Sequence, residues 1–243
     1  DEGIDGVVIK ITTNKIETSE NNIITVEAGV NLGAIVALAA KNELTGMEWA
    51  VGIPGTIGGA VRGNAGAMGK DISNCIKSVT IWRDGEIFEL PKTKCEFGYR
   101  ESKFKNSNEV VLSAIFELQK GNKLEIMQTM QGYIKQRTGR YPHFPSAGSF
   151  FKNIDLQDWP GDTKELPPLF VERKKIPVGW LIEQCGLKGY TIGGAKISDE
   201  HGNFLINYQN ATQNDILKLV EEAQTRVYNK FKIMLEPEVE IIK

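Results

Sequence analysis

Residues 52–69 form a glycine-rich run whose composition suits close contact between the backbone and a ligand. Glycine supplies seven of these eighteen residues, and it loses more backbone freedom on ordering than any other residue, so a regular helix or strand would be costly. Bare backbone N–H groups can instead lie against a flat or phosphorylated ligand. Ile53, Ile57 and Val61 recur every four residues and predict a short helix whose start faces that ligand. A flexible surface loop is the alternative, which we rank lower because Arg62 is the only charge in the run.

Residues 97–102, Phe-Gly-Tyr-Arg-Glu-Ser, place Tyr99 and Arg100 directly after a glycine in a predicted loop between two strands. An arginine there could hold a carboxylate or a phosphate through two parallel N–H donors. A surface ion pair with Glu96 or Glu101 is the alternative. For this motif taken alone, the ion pair is the better interpretation.

Residues 146–153, Ser-Ala-Gly-Ser-Phe-Phe-Lys-Asn, set Ser149 between a glycine and two aromatic residues. The small residues before Ser149 leave room for a ligand, and we expect Phe150 or Phe151 to anchor the segment in the core. A serine that only satisfies the local backbone is a strong alternative. The segment is not the nucleophile elbow of hydrolases, because no glycine follows the serine at the required position.

Acidic residues interrupt the otherwise apolar C-terminal segment, where the pattern predicts a strand over residues 235–242. Alternation along a strand sends Glu236, Glu238 and Glu240 to one face. A solvated strand face explains Glu240. For Glu238, which follows Pro237, the pattern leaves both a structural and a functional interpretation open.

Regular elements in the first 140 residues must position the glycine-rich run and Arg100. Hydrophobic periodicity and turn residues predict them. They are a hairpin-like pair of strands at residues 6–11 and 22–30, a helix over 31–43 with Asn31 as N-cap, strands at 76–82 and 86–90 joined by an Asp-Gly turn, a strand at 110–118, and a helix over 122–137 with an apolar stripe of Leu124, Met127, Met130 and Ile134.

A second α+β region follows a proline-containing seam at residues 141–145, since proline resists continuing a helix. It contains a Pro- and Asp-rich insertion over residues 155–168. The predicted elements are a helix at 178–185, a strand at 204–207, a long helix over 211–231 that begins near Thr212, and the terminal strand.

Composition excludes several classes of protein. The 243 residues carry a net charge of -2, which provides no electrostatic footprint for nucleic acid or an anionic membrane. No apolar stretch approaches the roughly 20 residues of a membrane span. Three cysteines and two histidines argue against disulfides and against a metal site, and they fit a reducing cytosol.

Taken in order, the motifs resemble those of the UDP-N-acetylenolpyruvoylglucosamine reductase family. The order begins with Gly-Ile-Pro-Gly-Thr-Ile-Gly-Gly-Ala-Val-Arg and Asn-Ala-Gly-Ala in the glycine-rich run, then Gly98-Tyr99-Arg100 and residues 147–153. It continues with residues 179–189, residues 192–195 and Leu-Glu-Pro-Glu-Val near the C-terminus. The resemblance covers essentially the whole chain. Any one motif is weak, but the ordered set is specific.

The resemblance implies an α+β fold with a flavin-binding domain of the vanillyl-alcohol-oxidase type, its first subdomain missing, and a C-terminal α+β substrate-binding domain. It assigns residues 1–120 to the second subdomain of the FAD-binding domain and residues 121–141 to a connecting helix. Residues 142–232 become the substrate-binding domain. Residues 233–243 become a terminal strand that carries Glu238 back to the active site.

The implied activity is that of an FAD-dependent oxidoreductase of peptidoglycan precursor synthesis. NADPH reduces FAD, and reduced flavin delivers hydride to the enolpyruvyl ether of UDP-N-acetylglucosamine, giving UDP-N-acetylmuramate. Hydride addition places extra negative charge on the conjugated carboxylate, which a cation and hydrogen-bond donors stabilise. By resemblance, Arg100 and a protonated Glu238 serve this purpose, and Ser149 is the general acid that protonates the adjacent carbon.

Further ligand contacts are implied by resemblance alone. The substrate is a small-molecule UDP-sugar, and we expect a cytoplasmic monomer with no nucleic-acid, membrane or metal partner. Cations beside a pyrophosphate suit the substrate side, which would comprise Tyr99, Arg140, Asn153, Lys188 and His201. The FAD side would comprise Gly52, Ile53, Pro54, Gly55, Thr56, Gly58, Gly59, Asn64, Ala65, Gly66, Ala67 and Arg137.

Three departures from the family pattern qualify the resemblance. The short gap between Arg100 and Ser149 lacks an inserted loop with a substrate-clamping tyrosine, so the chain resembles the shorter branch. Met68 stands where the family often has tyrosine. A glycine-rich loop that grips the FAD pyrophosphate precedes the matching region in the family, and this sequence starts after it. We therefore expect this chain to bind FAD weakly or not at all.

Two other functions compete with the reductase. One is a non-catalytic UDP-sugar or nucleotide-binding protein that has lost its flavin. The other is an oxidase of the same flavin superfamily, against which the joint presence of Arg100, Ser149 and Glu238 argues. An absorption spectrum of the purified chain would detect bound flavin.

Overall fold

Two apolar cores, one on each side of residue 138, organise the chain. The structure, a computed structural model, describes residues 3–139 and 141–242. Residues 7–138 form one compact unit, here called the glycine-loop unit. The described residues from 139 onward, together with residues 3–6, form the second, here called the serine-strand unit.

The glycine-loop unit is built on a five-stranded antiparallel sheet in the order β1-β2-β8-β6-β7. The short strands form two separate pairs, β3 with β9 and β4 with β5. In chain order the elements are β1 Ile16–Ser19, β2 Ile23–Glu27, α1 Leu32–Lys41, β3 Leu44–Thr45, α2 Ile57–Arg62, β4 Gly66–Ala67, β5 Lys70–Asp71, β6 Ile76–Arg83, β7 Glu86–Pro91, β8 Val110–Glu117, β9 Gln119–Lys120 and α3 Lys123–Arg137.

Local signals predicted several of these elements correctly. Asn31 caps α1, because its Oδ1 accepts a hydrogen bond from Gly33 N at 2.8 Å. Asp84 and Gly85 both have positive φ, as a tight hairpin turn between β6 and β7 requires. The short helix expected inside the glycine-rich run is α2, and it buries Ile57 and Val61.

The strand predicted at residues 6–11 is wrong. Those residues form no strand, and Val7, Val8 and Ile9 are 74–90% exposed. The strand that pairs with β2 is β1, which lies in the polar stretch expected to be a connection. A strand requires a neighbour for its backbone hydrogen bonds, and residues 6–11 have none in the described chain.

The helix predicted at residues 122–137 forms as α3, but most of its apolar stripe does not face the core. Asn122 Oδ1 accepts from Leu124 N at 2.9 Å at the start of the helix. Leu124, Met127 and Ile134 are exposed, whereas Met130 packs partly buried against the core. The contact with the unit's core runs along Ile126, Met130 and Tyr133.

The serine-strand unit contains a four-stranded antiparallel sheet in the order β10-β15-β14-β13 and a two-stranded pair, β11 with β12. The long helix α6 contacts β13 and β14. In chain order the elements are β10 Ser146–Ser149, β11 Ile154–Asp155, α4 Pro168–Glu172, β12 Lys175–Ile176, α5 Val178–Gln184, β13 Thr191–Ile192, β14 Ala195–Ile197, β15 Phe204–Asn207 and α6 Gln213–Phe231.

Helix α6 begins as the sequence predicted, with Thr212 as its N-cap. Thr212 Oγ1 accepts from Asp215 N at 3.1 Å, and Asp215 Oδ2 accepts from Thr212 N at 3.0 Å. The same carboxylate accepts from Gly194 N at 3.2 Å. An added Cβ at Gly193 would lie 2.3 Å from Asp215 Oδ1, so the paired glycines let the β13–β14 turn approach this helix start.

The strand predicted at residues 235–242 is largely wrong. A single bridge joins Phe151 and Pro237, flanked by two backbone hydrogen bonds, Lys152 N to Glu236 O at 2.9 Å and Glu238 N to Phe150 O at 2.8 Å. Among the described residues, no helix has the length and apolar composition to cross a bilayer.

Candidate functional site

Backbone hydrogen bonds hold the start of the glycine-rich run against the connection between β2 and α1. Leu32 N donates to Gly55 O at 3.0 Å, Ile57 N donates to Val30 O at 2.9 Å, and Gly58 N donates to Ala28 O at 2.8 Å. An added Cβ at Gly58 would lie 3.0 Å from the Cβ of Ala28, so close packing here depends on glycine. The run is thus a built part of the fold and not a flexible loop.

The outer face of this run is bare backbone. Gly52, Gly55 and Gly59 are exposed, and Gly52 and Gly55 have φ of 76° and 115°. An added Cβ would meet nothing within 4 Å at Gly55, and at Gly59 only Thr56 Oγ1, at 3.8 Å. Pro54 and Thr56 share this exposed face, whereas Ile53 is partly buried against the core. A flat ligand could therefore approach the backbone without displacing side chains.

Arg137, at the C-terminal end of α3, lies beside this face. Its Cδ would be 3.4 Å from a Cβ added at Gly52, and its Nη2 donates to Trp49 O at 3.4 Å. The structure thus brings together Arg137 and Gly52, which are 85 residues apart in sequence.

Asn64 uses both polar ends of its side chain inside the protein. It is 1% exposed; its Nδ2 donates to Gly98 O at 2.7 Å, and its Oδ1 accepts from Ser73 N at 3.1 Å. The next residue is Ala65, whose N–H donates to Ala60 O and whose carbonyl accepts from Ile72 N. The side chain of Asn64 therefore ties the glycine-rich run to the loop that carries Arg100.

A tight turn places Arg100 on the glycine-rich run. Gly98 and Glu101 exchange backbone hydrogen bonds, and Arg100 has a φ of 59°. Arg100 Nη2 donates to Gly66 O at 2.6 Å, and its Cζ lies 5.2 Å from the Tyr99 ring centroid. Neither sequence interpretation of Arg100 anticipated the bond to this carbonyl. Ala67 completes β4 next to Gly66 and packs partly buried against the core.

Ser149 lies exposed at the end of β10, where the strand changes register. Ser146 is opposite Ile206 and Ser149 is opposite Phe204, so one extra residue lies between the two pairs. Gly148 has a φ of 85° and open space around its Cα, which lets the backbone bulge there. Phe150 and Phe151 are both buried, which confirms the predicted anchor.

The half-buried Glu238 is fixed close to Ser149 through the backbone. Its N–H donates to Phe150 O at 2.8 Å, one residue from the serine. Lys152 Nζ forms a 2.6 Å ion pair with Glu236, on the same short pairing. The serine-strand unit thus assembles Ser149 and Glu238 from segments 89 residues apart.

The other residues predicted on the substrate side have more local partners. Asn153 Oδ1 accepts from Val178 N at 3.1 Å and thereby caps α5. Lys188 Nζ lies 3.5 Å from Glu183 Oε1 in an exposed pair. His201 Nδ1 accepts from Asn203 N at 3.1 Å. Arg140 lies outside the described residues.

Charged groups beside His201 are held in place by hydrogen bonds. The Ser198 hydroxyl donates to Glu200, and this bond, with a backbone N–H bond, lowers the pKa of that carboxyl from its ordinary value. In the part of the chain described, no group of three or more His, Cys, Asp or Glu side chains is placed to hold a metal ion.

Comparison with known proteins supports one family across the chain. The family description "FAD binding domain" matches residues 1–91, and "UDP-N-acetylenolpyruvoylglucosamine reductase, C-terminal domain" matches residues 140–242. A UDP-N-acetylenolpyruvoylglucosamine reductase from Anoxybacillus flavithermus is 39% identical over 100% of this chain and 75% of its own length. One from Clostridium kluyveri is 42% identical over 100% of this chain and 74% of its own length. The chain belongs to the UDP-N-acetylenolpyruvoylglucosamine reductase family.

A solved structure of the family agrees with this assignment. The crystal structure of UDP-N-acetylenolpyruvylglucosamine reductase (MurB) from Thermus caldophilus matches with a TM-score of 0.72 and 34% identity. The match covers 89% of this chain and 71% of that one. The predicted α+β combination of an FAD-binding domain with a C-terminal domain of this reductase family is confirmed.

Sequence reasoning missed two residues that organise the site. Ser102 is buried, and its Oγ donates to Arg62 O at 2.6 Å, joining the Arg100 loop to the end of α2. Asn203 is buried beside Phe151 and bonds to it twice. Ser102 lies between two charged residues and Asn203 lies between a glycine and a phenylalanine, settings shared by many surface positions, so the sequence carried no distinguishing signal.

Proposed function

We propose that the chain catalyses the NADPH-dependent, FAD-mediated reduction of UDP-N-acetylglucosamine enolpyruvate to UDP-N-acetylmuramate, a step of peptidoglycan precursor synthesis. The observation that carries this proposal is a reductase-family match that spans the entire chain. It includes both the glycine-rich run and the segments that hold Arg100, Ser149 and Glu238.

The glycine-loop unit fits a flavin cofactor by its shape. The backbone at Gly52, Gly55 and Gly59 is exposed and carries no side chain. A Cβ added at any of these positions would take up part of the surface that a ligand could contact. Arg137 stands at one side of that surface and provides a cation for a phosphate or for a polar ring edge. When bound there, FAD supplies the hydride relay between NADPH and the substrate.

Arg100 is proposed to stabilise the carboxylate on which negative charge grows during reduction. Its guanidinium is oriented by the bond from Nη2 to Gly66 O, and the planar fork presents its N–H donors in a fixed geometry that suits a carboxylate. A preoriented cation stabilises developing charge without reorganising during the reaction. Glu238, held by its backbone bond to Phe150 O, is proposed to donate from its protonated form to the same carboxylate.

Ser149 is proposed as the general acid that protonates the carbon next to that carboxylate. Its side chain is exposed, and the neighbouring Gly148 leaves open space for a substrate. The serine Oγ–H transfers its proton to a strongly basic carbanion, a task for which a weak acid suffices. Tyr99, Asn153, Lys188 and His201 are proposed to contact the UDP-sugar.

We further propose that the chain acts as a monomer in the cytoplasm, on a small-molecule UDP-sugar. Its three cysteines, Cys75, Cys95 and Cys185, carry free thiols, and burial raises the pKa of Cys75 to about 12 and that of Cys95 to about 11. Free thiols suit a reducing compartment. Light scattering coupled to size-exclusion chromatography tests the monomer.

The decisive experiment is stopped-flow absorbance of the flavin in Ser149→Ala, with FAD supplied in excess. Flavin reduction by NADPH should be nearly unchanged, because the serine acts only when the substrate is reduced. Flavin reoxidation by the enolpyruvyl substrate should slow by ~10²–10⁴-fold, the usual contribution of a general acid. Arg100→Ala should slow the same half-reaction and also weaken substrate binding, because the cation meets the carboxylate before the reaction as well.

Ser146→Ala is the matched control, because Ser146 lies exposed on the same strand and its Oγ accepts a local bond from Gly148 N. Equal slowing of both half-reactions in Ser149→Ala would make the serine structural. A wild-type chain that binds the UDP-sugar but never reoxidises flavin with it would instead support the non-catalytic alternative.

A further inference from the structure

Asn203 occupies an unusual position at the end of the ladder between β10 and β15. After the bulge at Gly148, the register places Phe150 opposite Asn203, and Phe150 N donates to Asn203 O at 2.8 Å. The reciprocal bond is absent from the described hydrogen bonds, because Asn203 N donates to His201 Nδ1 and Phe150 O accepts from Glu238 N. The regular backbone ladder therefore stops at this pair.

The side chain of Asn203 continues the ladder by one residue. Its Oδ1 accepts from Phe151 N at 2.9 Å, and its Nδ2 donates to Phe151 O at 2.8 Å. The side-chain amide thus makes the two hydrogen bonds to Phe151, one to its N–H and one to its C=O, that the backbone of a neighbouring strand would make. Asn203 is 2% exposed and Phe151 is 1% exposed, so water has little access to compete with these bonds.

The segment held in this way carries both candidate catalytic groups of the serine-strand unit. Ser149 directly precedes residues 150–151, and Glu238 is bonded to Phe150 O from the opposite side. A shift of the Phe150 carbonyl would therefore move the serine and the glutamate together. Aspartate, leucine or serine at position 203 cannot provide both a donor and an acceptor with this reach.

We propose that Asn203 is a positioning residue that sets Ser149 and Glu238 relative to the substrate in the reductase reaction. The kinetic effect that we expect from this role rests on the proposed function, whereas the structural effect on residues 150–151 does not. Asn203 touches neither reacting atoms nor cofactor in this scheme, and it acts through the backbone of residues 150–151.

The test compares Asn203→Asp and Asn203→Ser with wild type in two independent measurements. Aspartate removes the donor to Phe151 O, and serine is too short to reach both backbone groups. Asn207→Ala is the matched control, since Asn207 lies on the same strand and its Oδ1 accepts a local bond from Ala211 N at 2.8 Å.

Amide hydrogen exchange tests whether Asn203 holds the backbone of residues 150–151, and this measurement needs no catalytic reaction. Exchange at the Phe151 and Glu238 amides should accelerate in both Asn203 variants and stay unchanged in the control. Unchanged exchange at these amides would overturn the proposal, whatever the activity of the protein. Failure of both variants to accumulate as folded protein would also overturn it, because Asn203 would then serve the whole fold.

Stopped-flow kinetics of the FAD-loaded protein measure how the Asn203 variants change the rates of the two half-reactions. Flavin reoxidation by the enolpyruvyl substrate should slow by ~10–100-fold, the scale of a displacement near 1 Å, with flavin reduction by NADPH unaffected. Equal slowing of both half-reactions, or no slowing despite faster exchange, would refute positioning. A wild-type protein inactive toward the substrate would refute the proposed function and leave the exchange result to decide the role of Asn203.

Discussion

The glycine-loop unit and the serine-strand unit each hold a candidate catalytic segment through one buried asparagine. Asn64 binds Gly98 O and Ser73 N, and so fixes the loop that bears Arg100. Asn203 binds both backbone groups of Phe151, and so fixes the segment that follows Ser149. In each unit an amide satisfies the backbone where no regular partner is present.

The two asparagines differ in the backbone that they occupy. Asn64 has a φ of 40°, in the left-handed region that asparagine tolerates, and it joins two irregular loops. Asn203 stands at the start of a strand and extends a ladder. The glycine-loop unit therefore needs both the conformation and the hydrogen bonds of its asparagine, whereas the serine-strand unit needs only the hydrogen bonds.

The largest expected stability effect comes from Asn64→Ala. The change leaves Ser73 N without this partner and removes one bond to Gly98 O, which still accepts from Glu101 N, at a cost of about 1–3 kcal/mol. The free energy of unfolding from urea titration measures the loss. Asn74→Ala is the control, because its Oδ1 accepts a local bond from Asp71 N at an exposed position. Equal losses of unfolding free energy in Asn64→Ala and Asn74→Ala would contradict the role given to Asn64, and with it the comparison between Asn64 and Asn203.

Gly66→Ala tests how the glycine-loop unit holds Arg100, through the contact between Gly66 and the guanidinium. An added Cβ would lie 2.7 Å from both Asp71 Cβ and Lys70 O and 2.9 Å from Arg100 Nη1. Overpacking of this kind costs about 1–3 kcal/mol, and it should also displace the guanidinium and weaken substrate binding. Thermal unfolding and substrate titration measure the two effects.

Gly59→Ala is the counterpart with room for its methyl group. Gly59 lies within α2, where alanine is favoured by roughly 0.5–1 kcal/mol, so stability should hold or rise. Because the methyl group projects from the exposed face, FAD binding should weaken by about tenfold, or ~1.4 kcal/mol. Undiminished FAD affinity in a folded Gly59→Ala protein would argue against this face as the flavin surface.

The smallest expected effect concerns the start of α6 in the serine-strand unit. Hydrogen bonds from Thr212 N–H and then Gly194 N–H lower the pKa of Asp215. A carboxyl whose pKa is lower in the folded state stabilises above its unfolded pKa, and this stability is lost as the pH falls through the folded pKa. Asp215→Asn should therefore lower the Tm at pH 7 by about 2–4 °C.

The difference in Tm between Asp215→Asn and wild type should shrink as the pH falls below the usual aspartate pKa. It should disappear once the pH lies below the lowered folded pKa, where the carboxyl is protonated in both states. Calorimetry across pH 2–8 measures it, with Asp158→Asn as the control at an exposed aspartate. A difference that stayed constant with pH would show that Asp215 acts through packing and not through its charge.

Much of the local structure could be predicted because its causes lie within a few residues. The caps of α1, α3 and α6 depend on side chains that bond to N–H groups two or three positions ahead. The Asp84-Gly85 turn depends on two residues with positive φ. The ordered motifs identified the family, and with it the candidate residues Arg100, Ser149 and Glu238.

The rest depends on partners that the local sequence does not contain. Residues 6–11 have strand propensity but no neighbouring strand in the described chain, and the exposed Leu124 and Ile134 have the spacing of a buried stripe without a core beside them. The apolar alternation of residues 235–242 predicts a strand, but among the described residues of that segment the pairing is limited to the bridge between Pro237 and Phe151. In each case the pattern describes what a segment could bury or bond, and only packing decides whether it does.

The sequence by itself determined which residue types are available for binding and chemistry, because glycine, arginine, serine and glutamate carry those properties wherever they stand. Only the tertiary structure decided which contacts these residues make. Arg100 donates to the carbonyl of Gly66, the Glu238 N–H donates to the carbonyl of Phe150, and the Asn203 side chain bonds to the backbone of Phe151. These contacts join residues 34–88 positions apart in the chain. Hydrogen bonds at such separations form only after the chain has folded, so no local pattern can encode them.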